Sequence, residues 1–294
     1  MEQLKELWQK VPLFWRLAGP GLLVILALAV LLRGQPDGRL HLYFFPVGQG
    51  NGLLVVSPSG KTVLVDGGPD ASALLSHLGR QRPFWRRDLD LVVLTETTSE
   101  RMPGPVAALE RYQVHAAGRP GRVCPGEGWA RWQALLDRAG VQAIPLQRGA
   151  RLDLGDGVRI EVLHPGEVPL RGAAPGGRDD ALVLRLSYGG LSALFPTAAG
   201  PAGQQALLDQ GVPLSSTVLL IPQQAGEKAL DPRFLQAVRP AVAVVSAGTG
   251  YQEGPDARTL AQVQAAGVVL YRTDRQGVVE IVTDGWEFWV KTER

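Results

Sequence analysis

The chain has 294 residues, of which 45% are hydrophobic and 20% charged, and its formal net charge is +2. This composition excludes a mainly disordered chain, and the length is sufficient for one or two domains with a sizeable core. The single cysteine excludes an internal disulfide framework, and four scattered histidines leave little for a His-rich metal site. The small net charge is not typical of a strongly electrostatic nucleic-acid binder.

The first predicted element is an apolar segment near the N-terminus. Residues 17–32 are an uncharged run, and 11–32 would span roughly 33 Å as a helix, which is enough to cross a bilayer once. A buried core helix and a cleaved signal peptide are the alternatives, but the A-x-A pattern at 27–29 lies inside the run instead of after it. We therefore predict a division into a short N-terminal segment (1–16), a transmembrane anchor (17–33), a linker (34–39) and a globular domain (40–294).

Basic residues on the two sides of the anchor predict its orientation. Lys5, Lys10 and Arg16 precede the apolar run, whereas Arg33 and Arg39 follow it. Because cytoplasmic flanks carry an excess of Lys and Arg, we expect a single-pass membrane protein with an extracytoplasmic globular domain.

From residue 40 onward, short apolar runs alternate with turn signals and helical patterns. Predicted strands cover 40–45, 53–56, 62–65, 89–94, 141–145, 158–163, 181–188, 191–195, 217–221, 241–246, 268–271, 278–283 and 286–290. Predicted helices cover 71–78, 106–112, 129–139, 232–238 and 257–266. Meander strands on both sides of helices predict an α/β fold with two packed mixed sheets and helices outside, a four-layer αββα sandwich.

Several collinear motifs carry a family resemblance. They are FFPVGQGN at 44–51, PSGKTVLVDGG at 58–68, DLVVLT at 90–95, LVLRLSYGG at 182–190 and AVRPAVAVVSAG at 237–248. Over about residues 40–285 the chain resembles the metallo-β-lactamase-like domain of the DNA-internalisation competence (ComEC) family. The resemblance implies the αββα fold, and in the family two metal ions at this site activate a water molecule.

The positions that the resemblance assigns to metal ligands do not carry ligand residues here. The family motifs H-x-H-x-D-H, L-L-T-G-D and P-H-H-G fall on Glu96, Thr98, Glu100, Arg101, Ala198, Gln223 and Gln224. Only Asp66 keeps its place, and a D-G-G turn has a structural use of its own. We therefore expect no catalytic residue, no metal and no cofactor. The prediction is a catalytically inactive, ComEC-like membrane protein that acts by binding or assembly in DNA uptake.

Two other functions stay open. In the first, the protein is a hydrolase or nuclease whose metal is held by carboxylates from the set Asp66, Glu96, Glu100, Asp179, Asp180 and Asp256. In the second, it is a structural subunit of a membrane complex that makes contacts through Gly19 and Gly21. We expect structural roles for His41, His77, His115, His164 and Cys124.

One basic segment predicts a partner. Arg80, Arg82, Arg86 and Arg87 surround Phe84 and Trp85, a combination suited to phosphate contact and base stacking, although such a loop is also typical of a solvated face. Single-stranded DNA and anionic lipid are the candidate ligands. The sequence identifies no small-molecule substrate, and it leaves the protein partner unknown.

Overall fold

A computed structural model of the protein describes residues 21–22, 35–83, 85–170, 172, 174–248 and 254–294. The chain divides into two units, Met1–Pro36 and Asp37–Arg294. In the first unit Gly21 and Leu22 are helical, and the rest of the predicted anchor over 17–33 lies outside the described residues. Among the residues described, no helix is long and apolar enough to cross a membrane.

The first sheet of the second unit has eight strands within the described part of the chain. In spatial order they are β17 (Phe288–Thr292), β16 (Val279–Thr283), β1 (Leu40–Phe44), β2 (Gly52–Val56), β3 (Thr62–Asp66), β5 (Leu91–Val93), β7 (Ala117–Pro120) and β8 (Ala143–Leu146). Neighbouring strands are antiparallel from β17 to β3 and parallel from β3 to β8. The meander and the crossover strands therefore share one sheet.

The second sheet has seven strands in the same described ranges. In spatial order they are β15 (Val269–Arg272), β14 (Val242–Val245), β13 (Val218–Leu220), β12 (Leu191–Phe195), β11 (Val183–Tyr188), β10 (Arg159–His164) and β9 (Arg151–Asp153). The pairs from β15 to β12 are parallel, and those from β12 to β9 are antiparallel. A separate parallel pair joins β4 (Asp88–Leu89) to β6 (Gln113–Val114).

Helices cover the outer faces of both sheets. They are α1 (Ala71–Gln81), α2 (Pro103–Arg111), α3 (Glu127–Ala139), α4 (Pro201–Asp209), α5 (Pro232–Val238), α6 (Ala257–Ala265) and the short α7 (Thr273–Gln276). Their ends follow local chemistry. The Asp70 carboxylate accepts a hydrogen bond from the Ala73 amide and caps α1, and Gly140, with φ of 68°, ends α3.

Strand periodicity explains why the sheets pack face to face. In β1, Leu40, Leu42 and Phe44 alternate with less buried residues, and all three join a core shared with the second sheet. On the outer faces, Leu78 of α1 packs against the first sheet, and Phe234 of α5 packs against the second. The helix–sheet–sheet–helix layering confirms the predicted αββα sandwich.

Several predicted elements need correction. The predicted strand 89–94 is two strands, β4 and β5, which belong to different sheets and are separated at Asp90. The Asp90 carboxylate accepts hydrogen bonds from the backbone amide and hydroxyl of Thr62, which turns the chain between the two pairings. Strands β6, β7 and β9 and helices α4 and α7 were not predicted. The segment AGRP of β7 lacks alternation, and α4 contains Gly203, so neither shows a clear period.

Candidate functional site

The candidate site lies at the edge of the sandwich where parallel strands of both sheets end. Loops follow β3, β5, β12 and β13 there, and hydrogen bonds cross between the sheets. The Leu182 amide donates to the Thr95 carbonyl at 2.8 Å, and the Gly248 amide donates to the Gly48 carbonyl at 3.0 Å. Carboxyl ends of parallel strands are where α/β folds commonly assemble sites.

Asp66, the last residue of β3, is bound to Thr95 through both carboxylate oxygens. The Thr95 amide donates to Oδ1 at 2.7 Å, and the Thr95 hydroxyl donates to Oδ2 at 2.6 Å. Burial raises the pKa of Asp66 to about 7, although these two hydrogen bonds oppose the shift. Asp66 therefore fastens the turn after β3 to the loop after β5.

Arg101 lies at the centre of the site. It ends the 3-10 turn Ser99–Arg101, and its Nε lies 3.4 Å from Oε1 of Glu96, with both side chains largely buried. Its Nη2 donates to Oε1 of Gln224 at 3.2 Å, across the two sheets. The side-chain amide of Gln224 (Nε2) in turn donates to Oδ1 of Asn51 at 3.4 Å. The guanidinium thus joins loops that follow β5 and β13.

Glu96 is the buried acidic partner in this group. Burial raises its pKa, while the Arg101 charge and a hydrogen bond from the Thr98 hydroxyl at 3.3 Å act in the opposite direction. Glu100, four residues further on, is exposed. The turn Ser99–Arg101 therefore selects Glu96 as the partner of Arg101.

The loop after β13 has an unusual backbone. Gln223 and Gln224 have φ values of 49° and 53°, in the left-handed region that side chains disfavour. Gln223 is held there because its amide donates to the Thr197 carbonyl at 2.8 Å, and its side chain donates to the Ala198 carbonyl at 3.3 Å. This backbone places Gln224 next to Arg101. Ala198 itself contributes only a methyl side chain.

Comparison with known proteins identifies the fold. No family model matches the chain. It is 14% identical to the metallo-β-lactamase fold protein YhfI from Bacillus subtilis, with a TM-score of 0.54 over 82% of this chain and 99% of that one. The diiron β-hydroxylase CmlA from Streptomyces venezuelae is 17% identical, with a TM-score of 0.50 over 81% of this chain and 53% of that one.

The chain has the metallo-β-lactamase fold.

A curated relative confirms the resemblance to ComEC. The chain is 23% identical over 253 residues to ComE operon protein 3 from Bacillus subtilis strain 168. The match covers 80% of this chain and 32% of the relative, so this chain corresponds to about a third of the length of that protein.

The donor set of this metallo-β-lactamase fold does not fit the metal centre that the resemblance implies. The seven predicted positions do come together in part. Arg101 forms an ion pair with Glu96 and a hydrogen bond with Gln224, the Thr98 hydroxyl donates to Glu96, and the Gln223 side chain donates to the carbonyl of Ala198. That group already contains a permanent cation, and a guanidinium offers no lone pair to a metal. Throughout the described residues, no three His, Cys, Asp or Glu side chains are grouped to hold a metal ion.

Two of the carboxylates proposed for an alternative metal site have other partners. Asp256 caps α6 by accepting hydrogen bonds from the Arg258 and Thr259 amides. Asp180 forms an ion pair with Arg122 at 3.0 Å. Glu100 is exposed. A metal site held by carboxylates stays a prediction.

None of the four histidines forms a hydrogen bond or an ion pair with Glu96, Arg101 or Gln224 in the described residues. His164 Nε2 lies 2.9 Å from the Asp179 carbonyl, and burial lowers its pKa, so the neutral ring donates this bond. His41 lies between Glu280 and Asp37, and despite burial these hydrogen bonds raise its pKa. His77 stacks on Phe45, and His115 is exposed.

The structure divides the predicted basic segment. Arg80 forms an ion pair with Glu293 at 2.9 Å, and Arg82 is buried, where it donates to the Thr62 hydroxyl at 2.9 Å and to the Asp88 carbonyl. Arg86 and Arg87 are exposed, Trp85 is 42% exposed, and Phe84 lies outside the described residues. Arg111 joins this surface from α2, and the sequence did not reveal it because it is 24 positions from Arg87.

Proposed function

We propose that this protein is a membrane-anchored, catalytically inactive relative of the ComEC domain that acts by binding or assembly in DNA uptake. The observation that carries the proposal is the Arg101 guanidinium, which pairs with Glu96 and Gln224 at positions where the resemblance implies metal ligands. The similarity to ComE operon protein 3 supports the connection with competence.

Loss of hydrolysis follows from the chemistry of the site. A metal ion lowers the pKa of a bound water molecule to about 7 and so supplies a nucleophile at neutral pH. A guanidinium contributes positive charge but cannot coordinate a water molecule, and it keeps its proton. Asp66 cannot serve as a free base either, since both of its oxygens are bound to Thr95.

A rigid edge without a catalytic centre is suited to holding a partner. The loops at this edge are fastened by the Asp66–Thr95 and Arg101–Gln224 hydrogen bonds, so their shape does not depend on a substrate. A fold retained without its chemistry presents ordered loops to a protein or a nucleic acid. As a membrane anchor, the apolar run over 17–32 would keep this domain at the extracytoplasmic face of the membrane.

The proposal is tested by metal analysis and hydrolysis assays on the full chain in detergent. We expect metal well below one equivalent after dialysis against Mn²⁺ or Zn²⁺. We also expect no hydrolysis of bis-(p-nitrophenyl) phosphate or single-stranded DNA above the buffer rate. The variants Glu96→Gln and Glu100→Gln are assayed beside the control Glu167→Gln, which changes an exposed glutamate outside the site.

Stoichiometric metal together with turnover would overturn the proposal. Turnover that falls in Glu96→Gln or Glu100→Gln, but not in Glu167→Gln, would assign the reaction to this edge and establish a carboxylate-based hydrolase. Turnover that persists equally in all three variants would place a catalytic site elsewhere in the chain and would also contradict inactivity.

A further inference from the structure

A cavity of about 240 Å³ lies between the C-terminal ends of α1 and α2. Its lining comes from two helices, which pack against each other, and from the segment that follows α1. The lining residues are Leu75, Gly79, Arg82, Pro83, Arg86, Arg87, Arg111 and Tyr112. Four arginines therefore line one recess, which we call the arginine cavity.

Three of these four arginines have no anionic partner within the described ranges. The side chains of Arg86, Arg87 and Arg111 are exposed, and none forms an ion pair or a side-chain hydrogen bond with another described residue. Elsewhere on the surface, Arg80 pairs with Glu293 and Arg131 pairs with Glu110. Like charges placed side by side repel one another, so the arginine cavity carries an uncompensated positive potential.

The fourth arginine is part of the rigid frame. Arg82 donates to the Thr62 hydroxyl, and the Asp90 carboxylate accepts from the same hydroxyl and from the Thr62 amide. Asp88 accepts from Arg82 through its carbonyl and lies 3.4 Å from Nη2 through its carboxylate. The acidic charge near the cavity is thus used by Arg82, and the other three guanidinium groups are left to bind an anion.

We propose that the arginine cavity binds a phosphate group of single-stranded nucleic acid. Guanidinium groups bind phosphate oxygens through paired, charge-assisted hydrogen bonds, and three of them can surround one phosphodiester. Tyr112 lines the cavity, and Trp85, which is 42% exposed, immediately precedes Arg86 in the chain. Both residues offer aromatic rings for neighbouring bases. A lipid surface is a plane of headgroups, whereas these cations line a recess, so the shape favours a flexible strand.

The arginine cavity is separate from the candidate site formed by Glu96, Arg101 and Gln224. Arg101 lies two residues before α2 begins, whereas Arg111 is the last residue of α2, and a nine-residue helix is about 13 Å long. The inference rests on the binding role proposed above, to which it adds the chemistry of the partner. It does not depend on the loss of metal.

The experiment measures binding of fluorescein-labelled oligo(dT), about 30 nucleotides long, to the detergent-solubilised full chain in EDTA. The triple variant Arg86→Gln, Arg87→Gln, Arg111→Gln is compared with a control triple variant that removes the same charge. The control changes three exposed arginines on α3, α6 and α7: Arg138→Gln, Arg258→Gln and Arg275→Gln. Circular dichroism melting establishes that both variants fold.

We expect the cavity variant to lose at least about tenfold in affinity, since it removes several charge-assisted hydrogen bonds. Its plot of log affinity against log salt should become shallower by about 0.7, the value for one lost phosphate contact on a single strand. The control variant should bind within about twofold of the wild type. An excess of inorganic phosphate should weaken binding by the wild type more than by the cavity variant.

Binding to phosphatidylglycerol vesicles is measured in parallel by co-sedimentation. Four results would overturn the inference: no binding of oligo(dT) by the wild type, equal binding by the cavity variant, an equal loss in the control variant, or a loss by the cavity variant that is seen with the vesicles and not with oligo(dT). The last result would assign the cavity to a membrane surface. Because binding is measured in EDTA, the outcome is independent of metal content and turnover. Failure of this inference is therefore distinguishable from failure of the proposed inactivity.

Discussion

Two side chains with opposite charge, Asp66 and Arg101, hold the loops at the site edge together. Asp66 binds Thr95 within one sheet, and Arg101 reaches Gln224 on the other. Asp66 is almost fully buried, and burial raises its pKa to about 7 from a reference value of 3.8. The folded state therefore holds a proton on Asp66 more tightly than the unfolded chain does, so Asp66 contributes to the pH dependence of stability.

The variant Asp66→Asn should reduce that pH dependence. Since the pKa of Asp66 is higher in the folded state, its contribution to stability is complete below about pH 4 and is lost as the pH rises through about 7. Asparagine keeps a carbonyl for the Thr95 amide and has no titrating proton. The free energy of unfolding, measured with denaturant between about pH 5 and pH 8, should fall less in the variant than in the wild type. An unchanged slope would show that other groups set the pH dependence.

The roles and contacts of single residues were predictable from the sequence in some cases and not in others. The motifs predicted that the positions assigned to metal ligands carry no histidine and that Asp66 has a structural role. The partner of Arg101 was not, because Glu96 and Glu100 are both near it in sequence and only the 3-10 turn decides between them. The Gln224–Asn51 hydrogen bond also required the fold, since the two residues are 173 positions apart.

Helix α2 is positioned by close backbone contact at its N-terminus. A Cβ atom on Gly104 would overlap the Gly67 carbonyl oxygen, so only glycine allows the helix to approach the turn after β3. The Gly104 amide uses this approach to donate to the Gly68 carbonyl at 2.9 Å. Gly79 in α1 is the opposite case, since a Cβ atom there would meet no heavy atom within 4 Å.

These two helix glycines form a matched pair for mutation. Gly104→Ala should destabilise the protein by about 1–3 kcal/mol, because the backbone must shift to relieve the overlap. Gly79→Ala should stabilise it by about 0.5–1 kcal/mol, because alanine is the better helix former and the space is open. Thermal unfolding monitored by circular dichroism measures both changes. Equal effects of the two substitutions would contradict the assigned contact.

Elements with strong local signals were predicted more accurately than those set by tertiary pairing. Residues 191–195 and 232–238 match β12 and α5 at both ends, since turn residues or a capping Asp mark their limits. Strand β7 forms because the edge of β5 accepts it in parallel, and nothing in the letters AGRP predicts this pairing. Local periodicity carries no information on which sheet a strand will join.

At the scale of the whole molecule, the layered architecture with two mixed sheets was predictable and the order of the strands was not. Meander strands and intervening helices predict two mixed sheets with helices outside. They do not predict that the β16–β17 hairpin returns to lie beside β1. Such long-range pairing follows from the packing of the complete core, to which both sheets contribute.

The predicted anchor over 17–33 gives a test at this scale. When the chain is expressed in a bacterium, the full-length protein should remain in the membrane pellet after a carbonate wash. A variant that begins at residue 37, where the second unit starts, should be released. Protease added outside spheroplasts should degrade the globular domain if the orientation is as predicted. Release of the full-length protein by carbonate would exclude the anchor. Protection of the globular domain from protease would place it on the cytoplasmic side, opposite to the prediction.

The ion pair between Arg101 and Glu96 makes the order of the loops at this edge independent of the metal concentration around the protein. A metal centre that holds loops together couples their order to the free metal concentration and to any competing chelator. Here the cation is part of the polypeptide and is supplied at translation, so it cannot be scavenged, exchanged or left unloaded. The edge that it organises stays assembled even when metal ions are scarce.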